Sequence, residues 1–249
     1  MGMAEIDDAD TLARLLRSRR SIRDFSSRDV PAELVNAILD DARWAPSWSN
    51  TQPYKIAVAS GETKERLKAQ LLERFDAATK VKDGGLTGKL GALLTRKALP
   101  DGDFNNRFEY PKELTPRRRA TGFGLYATLG IAREDSAARN RQMRRNFEFF
   151  GAPVVLFVFV REELGVYSVL DAGIFLQSLM LSAKARGLGT CAEGALATWA
   201  GPVREVFEVP PAYKLVCGLA LGWPSGHVVN DFNPGRAEIA EMLIPEKTR

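Results

Sequence analysis

The sequence predicts an α/β sandwich, in which helices pack on a central sheet. Two segments, residues 153–160 and 215–221, are apolar on both faces, which is typical of strands at the centre of a sheet. Helical patterns outweigh strand patterns along the 249 residues and separate these two segments. No linker or internal repeat divides the chain. We therefore expect one domain spanning residues 1–249.

Three helices and one short strand are predicted before residue 80. Asp8 or Asp10 suits the cap of the first helix, and Pro31 suits the first position of the second. A stripe of apolar residues continues along the second helix to Trp44, and Pro46 ends it. The predicted helices cover residues 8–18, 31–44 and 62–79, and the strand covers residues 56–59.

Residues 80–112 interrupt this periodic pattern. Four glycines precede Pro100 and three aromatic residues, Phe104, Phe108 and Tyr110. An irregular segment of this length is either a mobile lid or binding loop, or a plain surface excursion, and its composition fits both. We describe it as an irregular, lid-like insert.

Helices and the two apolar strands make up the rest of the chain. Thr115 and Pro116 form a helix start, and Asp135 opens a helix that Gly151 and Pro153 end. The later helices cover residues 135–150, 171–186 and 199–207, and residues 224–249 form a C-terminal extension.

Composition excludes several classes of site. The net charge of +4 allows an anionic ligand without demanding one. His227 is the only histidine, which leaves almost no material for a multi-histidine metal site or for Ser–His or Cys–His catalysis, so we predict no metal. Cys191 and Cys217 lie among small apolar residues and are expected to be buried free thiols rather than a disulfide or metal pair.

The chain is expected to be a soluble, cytoplasmic protein. Its N-terminus is acidic and lacks the apolar run of a signal peptide, and no uninterrupted apolar segment reaches membrane-spanning length. Three consecutive arginines, Arg117, Arg118 and Arg119, could attract nucleic acid. Acidic residues lie nearby and no nucleic-acid-reading motif accompanies them, so we predict neither a nucleic-acid partner nor a membrane partner.

A cluster of cations follows the first predicted helix. Arg19, Ser21 and Arg23 alternate along a segment that is expected to be extended, which places them on one side while Ile22 packs inward. Arginine forks and a hydroxyl are good ligands for a phosphate group. The alternative is that these arginines only compensate the negative end of the helix dipole on a solvated surface.

A polar loop follows the second predicted helix. It reads Ala45-Pro-Ser-Trp-Ser-Asn-Thr-Gln-Pro-Tyr54, with an indole among hydroxyl and amide groups. Such a loop can hold a flat aromatic ring, although a plain polar turn has the same composition. Together with the arginine cluster it suggests a site for flavin mononucleotide (FMN), because the phosphate and the ring system suit the two halves.

One motif is rejected by its context. Gly187-Leu-Gly-Thr-Cys-Ala192 matches the G-x-G-x-x-A pattern of dinucleotide sites. That pattern must follow a strand and open a helix, whereas here it follows a predicted helix. We therefore interpret Gly187 as the residue that ends the helix.

Five blocks of the sequence carry a family resemblance. They are Arg19-Arg-Ser-Ile-Arg-Asp-Phe25, the loop from Ala45 to Tyr54, Gly187-Leu-Gly189, Cys191-Ala-Glu-Gly194 and Asn233-Pro-Gly-Arg236. Together they resemble the nitroreductase family of FMN enzymes, over residues 12–236. The resemblance implies an α+β fold with a central, mainly antiparallel sheet flanked by helices. It also implies an intertwined homodimer, with FMN in two pockets at the subunit interface and C-terminal segments that embrace the partner.

The resemblance implies roles for individual residues, and it implies no catalytic side chain. Arg23 matches the cation near the N1–C2 carbonyl edge of the flavin and is expected to tune it. Pro234 stands where some members place a second phosphate-binding lysine, which puts more weight on Arg236. The implied cofactor-binding residues are Arg19, Ser21 and Arg236 at the phosphate with Arg20 beside them, Pro46, Ser47, Trp48 and Asn50 in a loop from the other subunit, and Glu193 and Gly194, whose backbone lies by flavin N5.

The resemblance also implies an activity. The expected enzyme is an FMN-dependent oxidoreductase that uses NAD(P)H to reduce a small aromatic acceptor, nitroaromatic or quinone-like, by ping-pong hydride transfer. Residues 123–126 and 146–153 resemble a branch that includes nitrobenzoate and nitrophenol reductases. Reductive dehalogenation, reduction of an activated alkene, flavin-dependent oxidation and a non-catalytic flavin carrier stay open as alternatives. Both NADH and NADPH stay open as donors.

Overall fold

A computed structural model describes residues 2–83, 97–105 and 109–247. Four strands in these ranges form one antiparallel sheet with the order β1-β2-β4-β3. The strands are β1 (Tyr54–Ser60), β2 (Val154–Arg161), β3 (Gly189–Glu193) and β4 (Tyr213–Gly222). The two strands predicted from their apolar composition, β2 and β4, are neighbours at the centre of the sheet, and the mainly antiparallel sheet that the family resemblance implied is confirmed.

Helices lie on both faces of the sheet. On one face Leu67 and Leu71 pack with Phe157 of β2, and on the other Ile38 and Leu179 pack with Leu156. The predicted sandwich, and with it the α+β fold class, is therefore confirmed. The helices are α1 (Gly2–Ser18), α2 (Ala32–Ala42), α3 (Gly61–Asp83), α4 (Thr115–Thr128), α5 (Ser136–Arg144), α6 (Val166–Ala185), α7 (Gly201–Val206) and α8 (Ile239–Met242).

Three helix ends predicted before residue 50 were wrong, and the helix predicted from residue 171 begins earlier, at Val166. The first helix begins at Gly2, so Asp8 and Asp10 lie inside it and cannot cap it. Pro31 is the residue before α2 rather than its first residue, with an extended backbone at φ −58° and ψ 142°. Trp44 lies beyond the end of α2, and its side chain is 80% exposed.

The helix predicted over residues 135–150 ends early. It gives way after α5 to a 3₁₀ segment, Arg145–Gly151, in which Phe149 and Phe150 both adopt a φ of 53°. Both of these side chains are buried, together with Phe147. Three aromatic groups so close in sequence cannot all face the core from one regular helix, so the backbone turns to bury them.

The strand β3 was not predicted. It forms an edge of the four-stranded sheet, and the segment after α1 lies beside it through a parallel bridge between Ser21 and Thr190. The Ile22 amide donates to the Thr190 carbonyl over 2.9 Å. Gly189 permits this approach, because a Cβ atom there would lie 2.5 Å from Cγ1 of Ile22. Gly187, at φ +80°, follows the end of α6 as predicted.

The lid-like insert is described only in part. Residues 84–96 and 106–108 lie outside the described residues, and they include the predicted glycines and Phe108. Residues 80–83 continue α3 and are therefore not irregular. The part around Asp103 is attached to the body of the protein, because this carboxylate accepts from the Leu215 amide at 2.6 Å and from Arg204 at 2.8 Å. A lid role for the insert stays a prediction.

The helix α6 is long and apolar enough, by length and composition alone, to span a membrane. In the fold it packs against α2 and β2, and Phe175 and Leu179 are buried there. The apolar residues on this face of the helix therefore belong to the core.

Candidate functional site

The predicted cation cluster is assembled at the edge of β3. Ile22 is buried, as predicted, with 7% of its surface exposed. Arg19, Ser21 and Arg23 all act on the same neighbour, the thiol of Cys191, two by their charge and Ser21 by a hydrogen bond. The alternation inferred from the sequence therefore brings these three side chains to one place.

The C-terminal segment adds a second cation to Arg19. Arg236 lies close enough that burial, followed by the positive charge of Arg236, lowers the pKa of Arg19. Within the described ranges neither arginine forms an ion pair, and Arg236 donates only to the Gly235 carbonyl at 2.5 Å. Two guanidinium groups held together without a carboxylate form a place for an anion.

Asn230 ties the cluster to the C-terminal segment. Its side-chain oxygen accepts from the amides of Arg23 at 2.9 Å and Asp24 at 3.2 Å. Its side-chain nitrogen donates to the carbonyls of Asp24 at 2.7 Å and Ser225 at 3.1 Å. Arg20 donates to the Asn230 carbonyl at 3.3 Å. The buried side-chain amide of Asn230 therefore fixes the backbone at Arg23, and the backbone carbonyl of the same residue gives Arg20 a partner.

Glu193 and Gly194 end β3 beside the cluster. The Glu193 side chain is 4% exposed, and neither carboxylate oxygen has a hydrogen-bond partner among the described residues. Burial raises the pKa of Glu193 well above its ordinary value, and the positive charge of Arg23 offsets only part of this. Gly194 is exposed, and the position of an added Cβ has open space within 4 Å. A ligand here can reach the backbone but not the carboxyl group.

The two thiols near the site are unreactive. Burial raises the pKa of Cys191 and of Cys217 to about 12. Both are free and buried, as predicted. A thiol that stays protonated at neutral pH is a poor nucleophile, so neither cysteine supplies covalent chemistry.

The polar loop is held by α6. The Trp48 amide donates to both carboxylate oxygens of Asp171, at 3.2 and 3.1 Å, and its ring lies 4.3 Å from that of Tyr167. Ser49, Asn50 and Gln52 have φ values of 50°, 55° and 46°. Left-handed conformations at non-glycine residues cost energy and occur where the surroundings or a function require them.

Hydrogen bonds inside the loop fix its shape, and three of its side chains remain exposed. Ser47 Oγ accepts from the Gln52 amide at 2.9 Å, and Asn50 Oδ1 accepts from the Gln52 side chain at 2.9 Å. Pro46, Trp48 and Asn50 are exposed. The loop therefore presents a proline, an indole and an amide on the surface of the chain.

Within the chain, the loop and the cation cluster do not meet. The loop is anchored at Asp171 near the start of α6, whereas Arg19 lines a concavity together with Lys184 at the end of this helix. Thirteen residues of helix separate these two positions, which corresponds to about 20 Å at 1.5 Å per residue. The structure brings Arg19, Arg20, Ser21, Arg23, Glu193, Gly194 and Arg236 to one edge, and Pro46, Ser47, Trp48 and Asn50 to another.

Sequence analysis did not predict three residues of the candidate site. Asn230 carried no signal, because its partners are distant in sequence. Lys184 shares a concavity with Arg19 and Arg20 but sits at an ordinary helix end. Asp171 could have been found, since it is a lone carboxylate in a strongly apolar helix and such a residue needs a partner.

Comparisons with known proteins place this geometry in context. The model of the Nitroreductase family matches residues 16–223. A 4-nitrobenzoate reductase of Nocardioides sp. (strain LMS-CY) is 34% identical over 210 residues, which cover 84% of this chain and 78% of that protein. A nitrobenzene nitroreductase of Ectopseudomonas oleovorans is 33% identical over 241 residues, 94% of each chain. The crystal structure of the FMN-dependent nitroreductase NfnB from Mycobacterium smegmatis, in complex with NADPH, superposes with a TM-score of 0.82 at 30% identity, covering 96% of this chain and 99% of that one.

Proposed function

The chain belongs to the nitroreductase family, and from this premise we propose that it is an FMN-dependent oxidoreductase that uses NAD(P)H to reduce nitroaromatic compounds. The observation that carries the proposal is the convergence of Arg19, Ser21, Arg23 and Arg236 at the edge of β3. Relatives named for the reduction of 4-nitrobenzoate and nitrobenzene support the class of acceptor. The related structure in complex with NADPH supports the donor.

The residues present fit FMN. Arg19 and Arg236 are two like charges without a carboxylate, and a phosphate dianion would relieve their repulsion. The open space over Gly194 leaves room for a flat ring against the end of β3. Arg19, Ser21 and Arg236 would therefore hold the phosphate, with Arg20 beside them, and Glu193 and Gly194 would meet the ring through their backbone.

When bound, FMN supplies two-electron hydride transfer between NAD(P)H and the acceptor. The task of Arg23 is electrostatic: its cation, with its backbone fixed by Asn230, favours negative charge on the ring beside it. Lack of a reactive thiol or a histidine in the cluster agrees with a reaction that needs no covalent bond to the protein. The protein then binds the cofactor, orients it and polarises its ring.

The second half of the site would come from a partner subunit. Val166 and Leu170 on α6 are 73% and 56% exposed, and together with Val169 and Gly173 they line an open apolar groove. Apolar surface of this kind is characteristic of a subunit interface. We infer a homodimer in which the loop from Pro46 to Asn50 of each subunit covers the cation cluster of the other. The exposed C-terminal residues Ile239, Met242, Leu243 and Ile244 would pack on the partner.

The test uses the purified protein and its absorption. Flavin released by heat should co-migrate with FMN on chromatography. NADPH added without oxygen should bleach the flavin bands, and 4-nitrobenzoate or nitrobenzene should restore them with the nitroso or hydroxylamino product. Free FMN at the same concentration is the control for reaction in solution.

Different failures have different meanings. A colourless protein that stays without flavin when mixed with FMN would falsify the central proposal. Bound FMN without oxidation of NADPH would indicate a carrier. Rapid bleaching that nitroaromatics do not reverse would support a flavin enzyme. It would also show that nitroaromatics are not its acceptors.

A further inference from the structure

His227 is the only histidine of the chain, and its ring holds a short turn of the backbone. The turn is a 3₁₀ segment, Val228–Asp231, and we call it the Asn230 turn. The Val229 amide donates to Nδ1 of the His227 ring over 3.1 Å, and the Asn230 amide donates to the His227 carbonyl over 3.0 Å. Both the side chain and the backbone of His227 therefore cap this turn.

The Asn230 turn holds two arginines of the cation cluster. The Arg23 amide donates to the side-chain oxygen of Asn230 over 2.9 Å. The Arg20 guanidinium donates to the carbonyls of Asn230 at 3.3 Å and Asp231 at 3.4 Å. The opening of this turn would therefore release Arg20 and Arg23 together.

The start of the turn is also tied to the segment after α1. The His227 amide donates to Ser225 Oγ over 3.1 Å, and the same hydroxyl donates to the Asp24 carboxylate. Arg145 donates to the other oxygen of this carboxylate over 2.8 Å. In the described part of the chain, the charged groups that act with the His227 ring are therefore Asp24, which favours a protonated ring, and Arg145, which offsets this effect. Asp231 lies in the turn itself.

We propose that His227 is a positioning residue of the cofactor site, and that it holds Arg20 and Arg23 in place only while its ring is neutral. The bond from the Val229 amide needs a lone pair on Nδ1, so the neutral ring must carry its proton on Nε2. A protonated ring carries a hydrogen on both nitrogens and cannot accept this bond. The turn then loses its cap and opens more often. The proposal rests on the FMN site described above.

The pH range and the size of the effect follow from general values. Imidazole is the side chain that changes its charge between about pH 5 and 8. The loss of a capping side chain typically shifts a local equilibrium about fivefold. The equilibrium constant for opening of the Asn230 turn should therefore rise about fivefold from the alkaline to the acidic end of this range. Because His227 is the only histidine, no other imidazole can cause this change.

Hydrogen exchange of the Arg23 and Asp24 amides in the FMN-loaded protein tests the proposal. His227→Asn is the decisive variant, because asparagine can accept the same hydrogen bond and stays neutral at every pH. The wild type should exchange like this variant at about pH 8 and about fivefold faster at about pH 5. His227→Ala, which has no acceptor, should exchange about fivefold faster than His227→Asn at both values. The Ala138 amide is the internal control, since Asp135 caps it over 2.8 Å and it should exchange alike in all three proteins.

Equal exchange of Arg23 and Asp24 in the wild type and His227→Asn at acidic pH would overturn the proposal. In the wild type alone, the nitrogen resonances of the ring at about pH 8 should show Nδ1 without a proton, and a proton on Nδ1 contradicts the proposal.

The link to the cofactor is tested by the release of FMN, which is followed by the rise in flavin fluorescence. Acid should accelerate release more in the wild type than in His227→Asn, because the opened turn frees Arg20 and Arg23. Equal acceleration in the two proteins would refute the positioning role. Failure of the FMN site itself has a separate signature: the wild type would hold no flavin at any pH, and amide exchange would still decide whether His227 caps the turn.

Discussion

At the scale of single residues, two arginines of one cluster are expected to do different work. The charge of Arg23 acts on Glu193 at the end of β3, whereas the charge of Arg236 acts on Arg19. A cation beside the ring favours the reduced state, because negative charge develops there. A cation at the phosphate stabilises both redox states alike. The variants of these residues should therefore change different quantities.

Arg23→Ala should lower the midpoint potential of bound FMN and slow its reduction by NADPH. Each 30 mV corresponds to about 1.4 kcal/mol for a two-electron couple, so a loss of this size is readily measured by spectroelectrochemistry. Arg43→Ala, which changes an exposed arginine just after α2, is the control. If Arg23→Ala only loosens FMN and leaves its potential unchanged, Arg23 is a phosphate ligand instead.

Arg236→Ala should weaken FMN binding and leave the potential of the bound fraction nearly unchanged. A lost charge-assisted hydrogen bond is worth about 1.5–3 kcal/mol, which is roughly a tenfold to hundredfold rise in the dissociation constant. Fluorescence titration of the flavin-free protein measures this constant. If the variant binds FMN as tightly as the wild type, Arg236 is only a surface charge. This is the alternative that sequence analysis left open for the arginine cluster.

Glu193→Gln should stabilise the protein more as the pH rises. The pKa of Glu193 is raised in the folded state, so the folded protein binds more protons than the unfolded chain above the ordinary carboxyl pKa. Stability of the wild type is therefore highest below that pKa and is lost as the pH rises toward the folded value. The difference in melting temperature between variant and wild type should grow from acidic to alkaline pH. A constant difference would mean that the carboxyl group does not titrate differently in the two states.

The sequence predicted the grouping of the candidate cation cluster because its residues follow a local pattern. Alternation placed Arg19, Ser21 and Arg23 on one side with Ile22 buried, because two-residue periodicity depends only on neighbours in the chain. Asn230 was not predicted, because its hydrogen bond with the Arg23 amide joins residues 207 positions apart in the sequence. No local pattern encodes such a contact.

At the scale of secondary structure, Asn230 joins two segments that carry the cluster. Its side chain bonds to Arg23 and Asp24 after α1 and to Ser225 after β4. Neither segment is a regular helix or strand there, so their backbone groups depend on this amide. The position of Arg23 is thus set by a side chain from the other end of the chain.

Asn230→Ala should destabilise the fold by about 2–3 kcal/mol, because it leaves the partly buried amides of Arg23 and Asp24 without their acceptor. It should also lower the potential of bound FMN in the direction expected for Arg23→Ala. Chemical denaturation and spectroelectrochemistry measure the two effects, with Asn36→Ala on the exposed face of α2 as control. When Asn230→Ala is combined with Arg23→Ala, the potential of bound FMN should fall no further than in Arg23→Ala alone. An additive loss would show that Asn230 acts by another route.

Secondary structure was predictable where one pattern dominates. The apolar strands β2 and β4 and the core helices were found because burial on both faces leaves long apolar runs. The strand β3 was missed, because Gly189 to Glu193 are small or charged and the strand is defined by what lies beside it. The 3₁₀ segment at Phe149 and Phe150 was missed because the demand to bury neighbouring aromatics arises only in the packed core.

At the scale of the whole molecule, the packing of helices on a central sheet was predicted and is confirmed. The dimer stays a prediction. Leu170→Arg should yield a monomer that binds FMN poorly, since it places a charge in the apolar groove of α6 and removes the partner loop. Ala69→Arg, on the exposed face of α3, should remain a dimer. Sedimentation velocity gives the mass and absorption gives the flavin content. A monomeric variant with full flavin content would show that FMN binding does not need the loop of a partner subunit.

The bond between Arg23 and Asn230, with its separation of 207 residues, also has a kinetic consequence. The cluster cannot form on the ribosome until nearly the entire chain has emerged, whereas α3 can form long before. Contacts of such long range close late, because loop entropy must be overcome first. Flavin should therefore enter only a finished chain, and in refolding experiments flavin quenching should lag behind the recovery of helical circular dichroism.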